Sequence, residues 1–248
     1  MNSRISQKRA RELAEKEMAQ HQATDQGSLL KQVILGGQDG LVNVLGVLLG
    51  VASATSDAGI VIIAGLAATF AESISMAAVA YASARAGQDY YEKQLENEWR
   101  EIEELPEVER EEIRLIYMKK GFRGRQLEQV VKKITSEKKV WVEVMMKEEL
   151  GLSEEEHSQP VREGIVVGGS ALVGSFVPMI PFFFLPIREA MAASFVVSLL
   201  TLFFAGAYKA KITVGSWLKS GVEMSAVGML AALAGYAVGA LLGAKFVG

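Results

Sequence analysis

The sequence predicts an all-α polytopic membrane protein with five transmembrane helices and a water-soluble helical insert between the second and third of them. Two observations lead to this fold class. Half of the 248 residues are hydrophobic, and most of these lie in five runs. Each run is long enough to cross the roughly 30 Å hydrocarbon layer as a helix, which satisfies its own backbone hydrogen bonds in lipid. The charged residues instead collect in one segment between the second and third runs.

The chain divides into four segments on this basis. They are a charged N-terminal arm (1–30), the first two transmembrane helices (31–87), an acidic three-helix segment (88–162) and the last three transmembrane helices (163–248). Within the second segment, the predicted spans cover residues 33–54 and 60–84, and a short turn carrying Asp57 joins them. These two spans are expected to form a helical hairpin.

The acidic segment has the composition of water-soluble helices. In residues 89–112, 11 of 24 side chains are Asp or Glu and three are Lys or Arg. Helices are predicted over 88–104, 107–120 and 124–150, with a break near Thr135 and Ser136 in the third. Pro106 favours a helix start, and Gly151 is typical of a helix C-cap.

The last three spans are predicted over residues 164–185, 190–208 and 221–244. Pro178, Pro181 and Pro186 must kink or end the third span, because proline cannot continue the helical hydrogen-bond pattern. The fifth span carries Gly235, Gly239 and Gly243 at four-residue spacing. Such a face favours close helix packing, either within the chain or between two chains.

Composition excludes several classes of function. The chain has no cysteine, which excludes disulfides and thiolate chemistry. No basic face stands out, so nucleic acid is not an expected partner. Walker A, G-x-S-x-G and H-E-x-x-H motifs are absent, so we expect neither an enzyme nor a prosthetic group. The charged N-terminus lacks the pattern of a cleavable signal peptide.

Lysine and arginine near the spans predict the orientation, since these residues favour the cytosolic side. Several precede the first span, and Lys209, Lys211 and Lys219 lie between the fourth and fifth. The loop after the first span has none. The N-terminus and the acidic segment are therefore expected in the cytosol.

Acidic side chains within the first two spans are the first candidates for function. Asp39 and Asn43 share one face of the first span, and Glu72 and Met76 repeat that i,i+4 spacing on the second. A mid-span Asp costs about 3 kcal/mol on insertion scales. Because neither span carries a Lys or Arg, we interpret these four residues as an ion or proton path. A hydrogen-bonded pair that only locks two helices together is the alternative.

The acidic segment offers a second set of donors. Glu98 with Glu101, and Glu109 with Glu112, are i,i+3 pairs on single helical faces. Met145 and Glu149 are spaced i,i+4, with Met146 beside them. Carboxylates suit hard or borderline divalent cations, and thioethers add preference for softer transition metals. With two histidines and no cysteine, Fe(II) or Mn(II) is favoured over zinc; a solvated acidic helix with core methionines is the alternative.

Several stretches resemble the vacuolar iron transporter family. VILGGQDGLVNVLGVLLGVASA is similar to its first helix, and GLAATFAESISMAAVAYASARAGQDYY to its second. WVEVMMKEELGL resembles the end of its cytosolic domain, and VPMIPFFF its proline-containing third span. The similarity covers nearly the whole chain from Leu30.

The resemblance implies a five-span homodimer that carries Fe(II), and often Mn(II), out of the cytosol in exchange for protons. It implies metal-ligand roles for the insert residues Glu98, Glu101, Glu109, Glu112, Met145, Met146 and Glu149. It also implies that Asp39 and Met76 line the translocation path, and it suits a prokaryotic plasma-membrane protein of iron homeostasis.

The chain departs from the family pattern at two places. The family's second helix often has a Glu where this chain has Ala68, and here the acid is Glu72, one turn and about 6 Å further along. Acids that some members carry before the first helix are replaced by Ser28 and Gln32.

Two other functions stay open from the residues. One is a metal sensor whose spans serve as an anchor. The other is a membrane-anchored ferroxidase with a di-iron centre, which normally requires two Glu-x-x-His motifs. The chain has only Glu154-x-x-His157, in a predicted loop.

Overall fold

The computed structural model describes residues 9, 11–14, 16, 26–153, 159–213 and 215–246. Most of the predicted arm, residues 1–30, and both residues of the Glu154-x-x-His157 motif lie outside this part. The described residues form helices and connecting turns, and five of the helices are long and apolar enough to cross a membrane. The predicted fold class, all-α with five candidate spans, is confirmed.

From Gln26 onwards the α-helices are numbered α1 to α8 in chain order. They are α1 (Gln26–Ala54), α2 (Ala58–Glu104), α3 (Pro106–Lys119), α4 (Gly124–Ile134), α5 (Lys138–Glu148), α6 (Pro160–Met179), α7 (Ile187–Ile212) and α8 (Trp217–Phe246). A 3₁₀ turn, Ile180–Phe183, follows α6. The chain divides into two compact units, the second being Val79–Glu163 and the first comprising the described residues before and after it.

Helix α1 is the central helix of the first unit. Its residues Leu41, Val44, Leu45, Leu48 and Leu49 are all buried. Val44 and Leu48 belong to a cluster with residues of α2, α6 and α7, whereas Leu45 and Leu49 pack in another with α8. Opposite sides of α1 are therefore buried against other helices, whereas Asn43 stays exposed and Asp39 is half-buried.

Glycine allows α1 to approach its neighbours at backbone contact. A Cβ at Gly239 of α8 would overlap the Gly50 carbonyl of α1, and a Cβ at Gly235 would overlap that of Gly46. The small-residue face predicted on the fifth span is therefore used inside the chain at Gly235 and Gly239. The surroundings of Gly243 are not among those that the structure describes.

The prolines end the third span as predicted. Pro178 lies in the last turn of α6, Pro181 in the 3₁₀ turn, and Pro186 is the N-cap of α7. The Ser194 hydroxyl of α7 donates a 2.6 Å hydrogen bond to the Pro178 carbonyl. This bond helps to satisfy the irregular backbone of a connection that has no charged residue between Ser175 and Ile187.

The second unit has its own hydrophobic core. Each of α3, α4 and α5 contributes buried residues, together with Ile102 near the end of α2. Pro106 occupies the first turn of α3, with Glu107 and Glu109 near the positive end of its dipole. The predicted C-cap at Gly151 needs correction, since α5 ends at Glu148 with Glu149 as its C-cap. Gly151, whose φ angle is 66°, lies two residues further on.

Two element predictions for the insert need correction. The helix predicted over 88–104 is not separate, since α2 runs from Ala58 to Glu104 as one helix of 47 residues. No proline or glycine pair interrupts this stretch, and the change from apolar to charged residues does not break a helix. The helix predicted over 124–150 is two helices, α4 and α5, separated at the expected break.

Candidate functional site

Asp39 and Asn43 interact on α1. The Asn43 Nδ2 group donates a 3.3 Å hydrogen bond to Asp39 Oδ2. One helical turn separates the two residues, so the α-helical backbone itself brings the amide to the carboxylate. Asp39 is half-buried and Asn43 is exposed. The amide therefore stabilises one oxygen of an acid that sits within a candidate membrane span.

Glu72 of α2 joins this pair. Its carboxyl group lies within hydrogen-bonding reach of Asp39 and interacts more weakly with Asn43. The ion pairs of the described residues all involve other side chains. Two carboxyl groups in contact repel each other when both are ionised, and a shared proton or a bound cation relieves that repulsion.

Met76 lies one turn after Glu72 and is half-buried. Its helical position puts it on the Glu72 face of α2. The structure thus brings Asp39, Asn43 and Glu72 together. Met76 lies on the same face of α2 as Glu72, one turn further along the helix.

Ser175 of α6 is a neighbouring polar residue that the sequence pattern does not distinguish. Its side chain is fully buried, and its hydroxyl has no hydrogen-bond partner within the described ranges. It lies against Gly40 of α1, beside Asp39, where a Cβ would meet the Ser175 Oγ at 2.6 Å. Small polar residues are common in closely packed membrane helices, so its position emerges only from the packing of α1 on α6.

Two glutamates of the insert are buried. Glu98 of α2 and Glu109 of α3 each retain 4% of their exposed surface. In each, the Oε2 atom is buried without a hydrogen-bond partner among the described residues. A buried carboxylate without a partner is energetically costly, so these two oxygens require a proton or a positively charged ligand.

Five carboxyl groups influence one another here, and they define the glutamate cluster: Glu98, Glu101, Glu109, Glu112 and Glu149. Burial, followed by the charges of the other four carboxyl groups, raises the pKa of Glu98 to about 7. Burial also raises the pKa of Glu109 to about 7, with contributions from Glu112, Glu101 and Glu149. The pKa of Glu149 is raised by burial and then by Glu112 and Glu101.

Several neighbouring acids of the insert differ from the cluster because they have basic partners. Glu103, Glu107, Glu111, Glu128 and Glu148 each form an ion pair with a Lys or Arg. The ion pairs described for the insert include none of the five cluster glutamates. The cluster thus has no compensating basic side chain, whereas these five surface acids do.

Met145 and Met146 lie in the hydrophobic core of the insert. Their exposed fractions are 0% and 2%, and they pack with Ile102, Ile113 and Trp141. Of the seven predicted insert ligands, the structure groups the five glutamates electrostatically and places the two methionines in the core. In the described part of the chain, no three Asp, Glu or His side chains already have the geometry of a metal site.

Comparisons with known proteins bear on the identity of the chain. The model of the VIT family matches residues 30–240. The chain is 33% identical over 211 residues to vacuolar iron transporter 2 of Oryza sativa subsp. japonica, covering 85% of this chain and 86% of that protein. It is 32% identical over 227 residues to vacuolar iron transporter 1 of Tulipa gesneriana, covering 91% of each.

A more distant relative is protein CCC1 of Saccharomyces cerevisiae. The two are 28% identical over 224 residues, which is 87% of this chain and 69% of the yeast protein.

Proposed function

Because the chain belongs to the VIT family, we propose that it exports Fe(II), and also Mn(II), from the cytosol in exchange for protons. The relatives are named as iron transporters, which supports metal transport as the general activity. The transported ion is the substrate, so we propose no prosthetic group and no catalytic residue.

The contact between Asp39 and Glu72 is the observation that carries the proposal. These carboxyl groups come from two different candidate spans and lie within hydrogen-bonding reach. A carboxylate pair can hold one proton or one divalent cation, and the two ligands compete for the same oxygens. Such competition is the chemical basis of exchange. In this proposal Asn43 orients Asp39, and Met76 supplies a thioether sulfur, a softer metal ligand, one turn further along the translocation path.

The glutamate cluster is the proposed collecting site on the cytosolic side. Its oxygens suit Fe(II) and Mn(II), and its uncompensated charge attracts cations. A ligand role for Met145 and Met146 requires their sulfur atoms to leave the hydrophobic packing. Replacing both with leucine, which conserves volume, separates the two roles, because a packing role predicts unchanged metal affinity.

We propose that the N-terminus and the insert face the cytosol, in a prokaryotic plasma membrane, and that two chains form a homodimer. The distribution of Lys and Arg around the spans supports the orientation. The family resemblance supports the dimer. Localisation of a tagged chain and the mass of the purified protein in detergent test the two statements.

The first prediction concerns uptake into proteoliposomes with an imposed pH gradient. We expect wild type to take up Fe(II) and Mn(II) in proportion to the gradient, and Asp39→Asn to lose gradient-driven uptake. Replacing Glu98, Glu101, Glu109 and Glu112 with alanine is expected to raise KM about tenfold, since cation affinity follows ligand charge.

Two matched controls accompany this experiment. Glu223→Gln removes a carboxylate near the start of α8 that is paired with Lys219, and uptake should persist. Alanine at Glu103, Glu107, Glu111 and Glu128 removes four paired surface acids and should leave KM unchanged. Absence of uptake by folded wild type would contradict the transporter and favour the sensor, whereas oxygen consumption with Fe(II) would favour the ferroxidase.

A further inference from the structure

An apolar groove of about 650 Å³ opens on the first unit, between α1, α6 and α7. Side chains such as Val33, Leu41 and Val173 form most of its wall, and Gln38, Thr201 and Tyr208 are among its few polar residues. Val173 is 70% exposed, so the groove is open to the surroundings of the helices. In a membrane protein those surroundings are lipid.

The groove lies at one end of the membrane helices. Its wall uses the first half of α1 (residues 29–41), most of α6 (165–177), the last part of α7 (201–208) and Met224 early in α8. Helix α7 follows α6 after a turn and so runs in the opposite direction, which brings these parts to the same end. The groove therefore extends from the middle of the helices towards the end at which α1 begins and α7 ends.

Lysines flank this end of the groove in sequence. Lys31 lies between the lining residues Leu30 and Val33, and Lys209 directly follows the lining residue Tyr208. Lys31, Lys209 and Lys211 are exposed, and the ion pairs of the described residues include none of them. Tyr208 is 60% exposed, as is typical of aromatic residues at the level of lipid headgroups.

We propose that this groove binds an anionic phospholipid, with an acyl chain between α1 and α6 and the headgroup phosphate at Lys31, Lys209 and Lys211. The dimensions favour an acyl chain over a transmembrane helix of a second copy. A helix about 10 Å in diameter would fill this volume with roughly 8 Å of its length. Charge favours an anionic headgroup, because each lysine near the membrane surface attracts anionic lipid.

Gly169 provides a way to fill the groove without disturbing the fold. It lines the groove, and a Cβ at this position would meet nothing within 4 Å. Gly169→Phe is therefore expected to occupy the space of the acyl chain. Val196→Phe is the matched control, since Val196 is 53% exposed on α7 and does not line the groove.

The test is native mass spectrometry of the full chain, purified in detergent and incubated with phosphatidylglycerol or phosphatidylcholine of equal chain length. We expect wild type and Val196→Phe to retain about one phosphatidylglycerol per chain, and Gly169→Phe to retain neither lipid. Replacing Lys31, Lys209 and Lys211 with glutamine should lower the preference for phosphatidylglycerol at least about fivefold. Glutamine at Lys132, Lys133 and Lys139, exposed lysines of the insert, should leave it unchanged.

Two outcomes overturn the proposal. Equal retention of both lipids by wild type would contradict selectivity for an anionic headgroup. Lipid retention unaffected by Gly169→Phe would show that the groove is not the binding site. If Gly169→Phe instead dissociates a dimer without changing lipid retention, a second copy covers the groove. The readout is lipid binding, so the result stands independently of transport activity.

Discussion

At the scale of single residues, two of the acids proposed to bind metal differ in their surroundings from the ion-paired acids of the surface. Surface glutamates such as Glu103 and Glu107 pair with Lys138 and Arg110. Glu98 and Glu109 are instead buried, with one oxygen each lacking a hydrogen bond among the described residues. Unpartnered buried carboxylates destabilise a fold. The proposed function in binding cations would explain why these two glutamates are buried despite that cost.

The Asn43 amide is expected to tune Asp39. Asn43→Ala removes the hydrogen bond to Asp39 Oδ2, and a hydrogen bond to a charged group contributes about 1.5–3 kcal/mol. In proteoliposome uptake, we expect Asn43→Ala to raise KM for Mn(II) about tenfold. Asn43→Gln should restore part of the lost affinity. Uptake kinetics identical to wild type in Asn43→Ala would show that the amide does not position the carboxylate.

Stability of the metal-free insert should depend on pH. The pKa values of Glu98 and Glu109, about 7 in the folded chain, exceed the ordinary value of 4.5, so the folded state binds more protons between these values. Stability therefore falls as pH rises from about 4.5 to 7. The double variant Glu98→Gln with Glu109→Gln should melt at a higher temperature than wild type at pH 8, with little difference at pH 5.

This melting experiment can be restricted to the insert. The chain has three tryptophans, and Trp99 and Trp141 belong to the insert while Trp217 begins α8. In a Trp217→Phe background with chelator present, fluorescence follows the insert alone. Equal melting temperatures of the two proteins at pH 8 would contradict the assigned burial of the two glutamates.

At the scale of elements, glycine determines how α1 packs. Gly50 and Gly239 meet at backbone contact, and so do Gly46 and Gly235. Because α1 carries Asp39 and Asn43, the packing of its other faces on α6 and α8 is what holds the polar residues towards α2. Small residues at helix contacts thus position the charged ones.

Overpacking of the α1–α8 contact should destabilise the first unit. Gly239→Leu forces α8 away from the Gly50 carbonyl, and overpacking costs about 1–3 kcal/mol or more where backbone is met. We expect lower yield and a lower melting temperature in detergent. Gly27→Leu is the control, because a Cβ there has open space, and equal stability of the two variants would contradict the close contact.

At the scale of the whole molecule, five crossings by the candidate spans predict that α1 begins and α8 ends on opposite sides of a membrane. The proposed topology also puts the α1–α2 turn and the insert on opposite sides, because α2 would cross once between them. In the proposed function, metal is collected on the side that holds the glutamate cluster, so the proposed direction of transport depends on this orientation.

The absence of cysteine makes the orientation directly measurable. Ser56→Cys lies in the α1–α2 turn and Lys139→Cys in the insert, both at exposed positions. In intact cells, an impermeant thiol reagent should label Ser56→Cys, and should label Lys139→Cys only after permeabilisation. The reverse pattern would invert the proposed direction of transport.

The sequence by itself determined the class of the molecule and most of its elements. Runs of apolar residues predict membrane helices, and prolines and glycines predict their ends, because these are local properties of the chain. Spacing of i,i+3 and i,i+4 also identified Asp39, Asn43, Glu72 and the glutamates of the insert, since a helix fixes which neighbours share a face.

The tertiary structure decided which of these residues meet and which are buried. The contact between Asp39 and Glu72 depends on the rotation of α1 against α2, which close packing at glycines determines. Glu98 is buried and Glu101 is not, although both lie on one helical face. Met145 is buried in a hydrophobic core. Sequence periodicity predicts which residues share one face of a helix, but it does not predict which helix packs against that face. That contact depends on the packing of the whole unit.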